Sequence, residues 1–359
     1  MRLACFTQRT LIAALLILTG VAARGQEINL RGLFDPSSKA PDLAAGYEVD
    51  AKWPANPAHR LDDGAVSAVA TDSEGNIWVL SRGTTPVRVF DAAGKLVREW
   101  THVAFRKPHG LAFDGAGNVW VTDAGAHVAQ KFSPAGELLL TLGTPNEAGD
   151  DSSHFDQPTD VAIGPNQGIF VSDGYGNNRV VRFDANGKYL GAFGREGSGP
   201  GEFRLPHALA FDQHGRLYVA DRSNARIQVF DVEGRPLAEF RNLMVPWDLC
   251  VTSDNHVLVC GSSPMRWPKG PQVGVPLGIP PKDQVVMKLT PEGAVRELWT
   301  FPLGLKAPGA LDWVHGITVD ATGALYLCDI EGKRVQKFQR LPAQSGSNPR
   351  DPAVQQTGR

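Results

Sequence analysis

Three histidines open three near-copies of one phrase: "HGLAFDGAGNVWVTD" at His109, "HALAFDQHGRLYVAD" at His207 and "HGITVDATGALYLCD" at His315. Most of what recurs is apolar or turn-forming, as paired strands require. Strand packing makes no demand for an imidazole. Neutral imidazole is the commonest side-chain metal ligand, and three of them converging with a fourth position open is the ligand set of a catalytic zinc. The competing reading is of polar residues lining a channel and bonded to water. Register favours the metal, because the intervening copies carry Ser67, Thr159 and Trp247 at the same position. The other histidines follow no register, and His127 and His154 read as structural or loop residues.

The elements that must position these side chains recur six times. Copies begin at Ser67, His109, Thr159, His207, Trp247 and His315, each an apolar strand, an Asp/Gly/Asn turn and a second aliphatic–aromatic strand. A third strand follows ("VRVFD", "VVRFD", "IQVFD") and, in most copies, a fourth ("KLVREW", "KYLGAF"). Four short antiparallel strands repeated at roughly 40 to 50 residues make a propeller blade. A blade cannot bury its own faces, so the array must close on itself. The expected fold is all-β: a six-bladed β-propeller over residues 46–340. The last copy lacks a fourth strand, and "GYEVDAKW" (Gly46–Trp53) stands unpaired before the first, so this N-terminal strand is expected to complete blade six.

First strands line the channel of a propeller, so the six starting residues form a ring at one mouth. The histidines fall on blades two, four and six, about 120° apart around the axis. Loops between second and third strands surround the same mouth. They carry Arg82 in "SRG", Tyr175 in "SDGYGNNR" and Arg222 in "DRSNAR". Two guanidiniums and a phenol beside a Lewis acid suit an anionic, carboxylate-bearing substrate. Asp123, Asp173, Asp221 and Asp329 recur after the second strand and read as turn-stabilising residues of the repeat. The one large insertion, residues 261–284, belongs to the same loop class. It reads either as a lid, with Met265, Arg266 and Trp267 as substrate contacts, or as an uninvolved surface excursion.

Composition bounds the function. The 359 residues carry a net charge of −2 and are 42% hydrophobic, ordinary for a globular chain and without the basic footprint of nucleic-acid binding. Residues 1–25, with Arg2 and Arg9 ahead of "LIAALLILTGVAA", read as a secretory signal. A membrane anchor is the lesser reading, since the apolar run falls short of the roughly 20 residues that span a bilayer. Residues 26–45 then read as linker and 341–359 as a disordered tail, leaving a periplasmic or extracellular monomer with no membrane span. Cys250, Cys260 and Cys328 allow at most one internal disulfide, with the pair left open, and no CxxC marks a metal site.

The run "DSSHFDQPTDVAIGPNQGIFVSDGYGNNRVVRFDANGKYLGAFG", with "GPGEFRLPHALAF", "LYVADRSNARIQVF" and "PHGLAFDGAGNVWVTD", resembles the peptidyl-α-hydroxyglycine α-amidating lyases, an NHL-repeat propeller family. The resemblance spans Val66 to Phe338. It implies zinc on His109, His207 and His315, catalytic roles for Tyr175, Arg82 and Arg222, and a channel calcium held partly by the main-chain oxygens of Val69 and Leu111. The implied reaction cleaves the N–C bond of a peptidyl- or N-acyl-α-hydroxyglycine, with Arg82 and Arg222 on its carboxylate. Where the family has an Asp after the third histidine, Gly316 stands here, and Asp248 is the residue able to substitute. A family methionine is replaced by Trp313, which reshapes the substrate pocket. Two family disulfides fall on Asp156 with Gly176 and on Tyr218 with Val229, and so are absent. The rival reading is a non-catalytic secreted NHL-repeat scaffold binding protein or glycan. A lactonase-like hydrolase fits less well, since those propellers hold calcium on axial acidic and amide side chains.

Overall fold

The structure is a computed structural model that describes residues 46–56, 64–241, 243–262, 283–304 and 307–341. The expected signal, linker and nearly all of the tail lie outside the described residues, as do Met265, Arg266 and Trp267. Six four-stranded antiparallel sheets follow one another along the chain. Blade two, for example, runs Pro108–Phe113, Val119–Asp123, Val128–Phe132 and Leu138–Leu142, paired in sequence order. No helix among the described residues is long and apolar enough to cross a membrane.

Turn chemistry explains why each copy folds back where it does. In blade one, Asp72 accepts the amides of Glu74 and Asn76 at 2.9 and 2.8 Å. Gly75 then adopts φ +83°, a left-handed conformation that a side chain would strain. Asp114, Asp212 and Asp320 repeat that bonding in blades two, four and six. Alternation along each strand sends apolar side chains to both faces of the blade. The core accordingly divides into six clusters, one in each seam between neighbouring blades.

The recurrent carboxylates at the ends of second strands fasten the chain that enters each blade. Asp123 accepts the amides of Arg106 and Lys107 (2.7 and 2.8 Å), Asp221 that of Arg204 (2.8 Å) and Asp329 that of Trp313 (2.9 Å). Each fastened amide lies two or three residues before a ring histidine. The repeat aspartates thus fix where the ring residues begin.

Blade six is closed as the sequence predicts. Tyr47, Glu48 and Val49 pair antiparallel with Arg340, Gln339 and Phe338. Just beyond, Trp53 is buried at 5% exposure against Phe90 of blade one and Tyr326 of blade six. This indole locks the seam where the two ends of the array meet. Trp53→Ala is expected to lower unfolding free energy by about 3–5 kcal/mol, the usual loss for deleting a buried aromatic. Urea denaturation followed by circular dichroism checks it; a loss under about 1 kcal/mol would mean that the ring closes without this side chain.

Candidate metal centre

His109, His207 and His315 are each less than 5% exposed, at the starts of the inner strands of blades two, four and six. Their ring centroids are 4.8, 4.9 and 5.0 Å apart, and candidate ligand atoms from all three lie within 4.8 Å of one another. Each Nδ1 meets a main-chain carbonyl of the next blade: His109 to Thr159 at 2.6 Å, His207 to Trp247 at 2.5 Å, His315 to Ser67 at 2.7 Å. A carbonyl only accepts, so Nδ1 carries the hydrogen and Nε2 is left with its lone pair. Alternate copies supply the imidazole, and the copies between supply the carbonyl that orients it.

Electrostatics keep the three rings neutral. Burial dominates for each, pulling His315 down to about 3 and His109 and His207 well below the ordinary histidine range. Neighbouring histidines push His109 and His207 the same way, and Arg82 or Arg222 acts so on all three. Neutral, pinned, convergent imidazoles are what a divalent ion with nitrogen ligands requires. The residues fit a metal.

Tyr175 reaches over this cluster, its hydroxyl 2.9 Å from His109 Nε2 and 3.3 Å from His207 Nε2. The loop can lie so low because Gly174 precedes it: a Cβ there would come within 2.0 Å of the Pro206 carbonyl oxygen. Arg222 is buried with its guanidinium carbon 3.8 Å from the Trp247 ring centroid, and it hydrogen-bonds the Tyr175 side chain. Burial lowers Arg222 to about 10, so it stays a cation at neutral pH. Arg82 donates from Nε to the Pro108 carbonyl at 3.3 Å. Burial raises Tyr175, while Arg222 and Arg82 pull it down. Trp313 packs edge-on to Trp247 at 4.8 Å, on the rim of the same mouth. All described residues singled out for the mouth therefore meet there.

Two features escaped the sequence reading. Lys107, in the segment fastened by Asp123, places Nζ 4.8 Å from the Tyr175 ring centroid and so adds a third cation to the mouth. The second is Asp160, which joins the already noted Asp248 in the channel, where a cavity of about 240 Å³ runs below the histidines. Asp248 accepts the amides of Leu249 and Ile317 at 2.8 and 2.9 Å, and Asp160 that of Leu209 at 2.8 Å. Val69 and Leu111 line the same channel. Gly316 has a local cause: a Cβ there would sit 2.6 Å from Cys328 Sγ, leaving no room for an aspartate. Cys250, Cys260 and Cys328 are free thiols.

Dense protein around the channel pushes Asp248 up to about 7. It raises Asp160 well above the carboxylate range, with the charge of Asp248 adding to it. The folded state then holds protons that the unfolded chain releases near pH 4, so this pair lowers stability as pH rises from about 4 towards 7. In calcium-free protein, Asp248→Asn is expected to gain stability, up to about 4 kcal/mol, at pH 8 and almost nothing at pH 4. Thermal melts at the two pH values check this; equal effects at both would remove the buried-carboxyl account.

The model of a family described as a 6-bladed β-propeller matches residues 150–263. NHL repeat-containing protein 3 of Homo sapiens is 30% identical over 310 residues, covering 82% of this chain and 84% of that protein. The chain belongs to the NHL-repeat propeller family. Within it, this propeller is 37% identical over 228 residues to the peptidyl-glycine alpha-amidating monooxygenase of Mus musculus, covering 54% of this chain but only 23% of that longer protein. It is 36% identical over 169 residues to peptidyl-alpha-hydroxyglycine alpha-amidating lyase 2 of Drosophila melanogaster, covering 44% of this chain and 41% of that protein. Among solved structures, a streptogramin B lyase aligns at TM-score 0.56 and 15% identity over 82% of this chain and 98% of its own. That likeness shows the fold alone.

Proposed function

We propose that this NHL-repeat propeller is a zinc-dependent lyase that splits peptidyl- or N-acyl-α-hydroxyglycines into a carboxamide and glyoxylate. The observation that carries the reading is the trio of pinned, neutral imidazoles directly beneath the Tyr175 hydroxyl. The names of the amidating relatives support the same substrate class.

His109, His207 and His315 would hold the ion and leave one side open to ligand. Zinc bound there supplies Lewis acidity, which makes an α-hydroxyl beside it a stronger acid. Arg222 and Arg82 take the carboxylate, Arg222 held in aim by Trp247 and Arg82 by the Pro108 carbonyl. Lys107 adds positive charge at the same rim. Tyr175 accepts the hydroxyl proton as the oxygen's electron pair closes to the aldehyde and the C–N bond breaks. The departing amide nitrogen then takes that proton from Tyr175. Water and redox chemistry are not needed, and Tyr175 begins and ends as the phenolate.

A tyrosine is a weak base at its ordinary pKa near 10. Burial raises it further, the two guanidiniums offsetting only part of that rise, so the phenolate would depend on the added pull of a dication among the histidines. A calcium ion in the channel is part of the proposal, with Asp160 and Asp248 in place of Gly316 beside the main-chain oxygens of Val69 and Leu111. If calcium binds there, added calcium should stabilise the wild type at pH 8 and fail to stabilise Asp248→Asn. Export to the periplasm or cell exterior is likewise proposed, on the basic and apolar N-terminal residues. The scaffold reading draws on the human relative, whose name carries no reaction. Metal analysis with a glyoxylate assay separates the two readings.

A further inference from the structure

Beside the metal mouth, between blades one and two, lies a second cavity of about 190 Å³. Val103, Ala104, Phe105 and Pro108 form its apolar side, Ser81, Thr84 and Arg106 join Arg82 on its polar side, and no carboxylate lines it. Pro108 immediately precedes His109, and its carbonyl accepts from Arg82 Nε, so two residues of the cavity wall adjoin the metal mouth. The far wall is built firmly. Phe105 packs edge-on to Phe132 at 5.7 Å, and the next two residues, Arg106 and Lys107, are fastened by Asp123.

Size and chemistry narrow the occupant. A cavity of about 150 Å³ holds benzene, so this one has room for a six-membered ring or a branched aliphatic group laid against the Val103–Phe105 side, with its polar side left for an acyl oxygen. A guanidinium offers its edge to a carboxylate and its face to an aromatic ring; Arg82 stands where it meets both sides. With hydroxyl and carboxylate engaged at the mouth, the acyl arm is the part of the substrate left to extend.

We infer that this cavity is the subsite for an apolar, ring-sized group on the acyl side of the α-hydroxyglycine. It would make the protein select bulky apolar acyl groups over acetyl. The inference rests on the lyase reading of the mouth. Its test compares N-benzoyl- and N-acetyl-α-hydroxyglycine as substrates, with calorimetric binding of the unreactive N-benzoylglycine and N-acetylglycine to zinc-loaded protein. The wild type should favour the benzoyl compounds by about tenfold or more in kcat/KM and in Kd, a difference of about 1.4 kcal/mol. Ala104→Phe, at an exposed position where the fold tolerates bulk, should fill the space and erase the preference. Equal constants for the two acyl groups, or a preference untouched by Ala104→Phe, would overturn the subsite. If neither compound releases glyoxylate, the lyase reading falls, and calorimetry alone decides: tighter N-benzoylglycine binding lost in Ala104→Phe upholds the cavity, and any other pattern rejects it.

Discussion

His207→Ala leaves a folded propeller that retains no stoichiometric zinc and turns over at least about a thousandfold more slowly, since Lewis acidity at such a site contributes several kcal/mol. Two imidazoles cannot complete a three-nitrogen site: Arg222 nearby is a cation, and the Tyr175 hydroxyl, 3.3 Å from the lost Nε2, is a phenol that burial keeps protonated and so a poor ligand. The fold should survive because its core lies in the six seams between blades, with the histidines only at the mouth. Metal analysis, circular dichroism and glyoxylate assay are read on the same sample. Full zinc content in the variant would move the metal away from the ring. Loss of the fold instead would make His207 a structural residue.

Tyr175→Phe separates chemistry from metal binding. The variant keeps all three histidines and the carbonyls that pin their Nδ1 atoms, losing only the hydroxyl that meets His109 and His207 at Nε2, so zinc content should stay near one per chain. It also keeps the ring beneath Lys107. It loses the single oxygen placed to move a proton between hydroxyl and departing nitrogen. Turnover is therefore expected to fall by about 10²–10⁴, the usual worth of a positioned general acid–base, with KM changed far less because the arginines still hold the carboxylate. Near-wild-type turnover would remove Tyr175 from the mechanism. A matching loss of zinc would show that the phenol serves the ring instead.

The architecture was legible because one Asp-x-x-Gly turn and its flanking strands are written repeatedly, and the unpaired "YEV" had one vacant edge to fill. The histidines were legible for the same reason: register in a repeat becomes position on a ring. The arginines and Tyr175 followed from knowing which loops face that mouth. What stayed hidden depends on contacts between blades. Lys107 has no counterpart in the other copies and matters only because a blade-three loop lays Tyr175 beside it. Asp160 follows a threonine in a copy without histidine, and its partner Asp248 lies two blades away across the channel. The carbonyls of Ser67, Thr159 and Trp247 could not be found by residue type at all, since any residue there offers one. Gly316 looked like a missing ligand until Cys328 was seen to occupy the space.

The central claim is that the histidine ring holds a zinc ion that does lyase chemistry. Elemental analysis of the purified protein, paired with product analysis on N-benzoyl-α-hydroxyglycine, tests it most directly. The account predicts one zinc per chain and equal amounts of benzamide and glyoxylate, both lost when a chelator strips the metal and restored when zinc is returned. Protein that carries no zinc, or that carries it and leaves the compound intact, would contradict it.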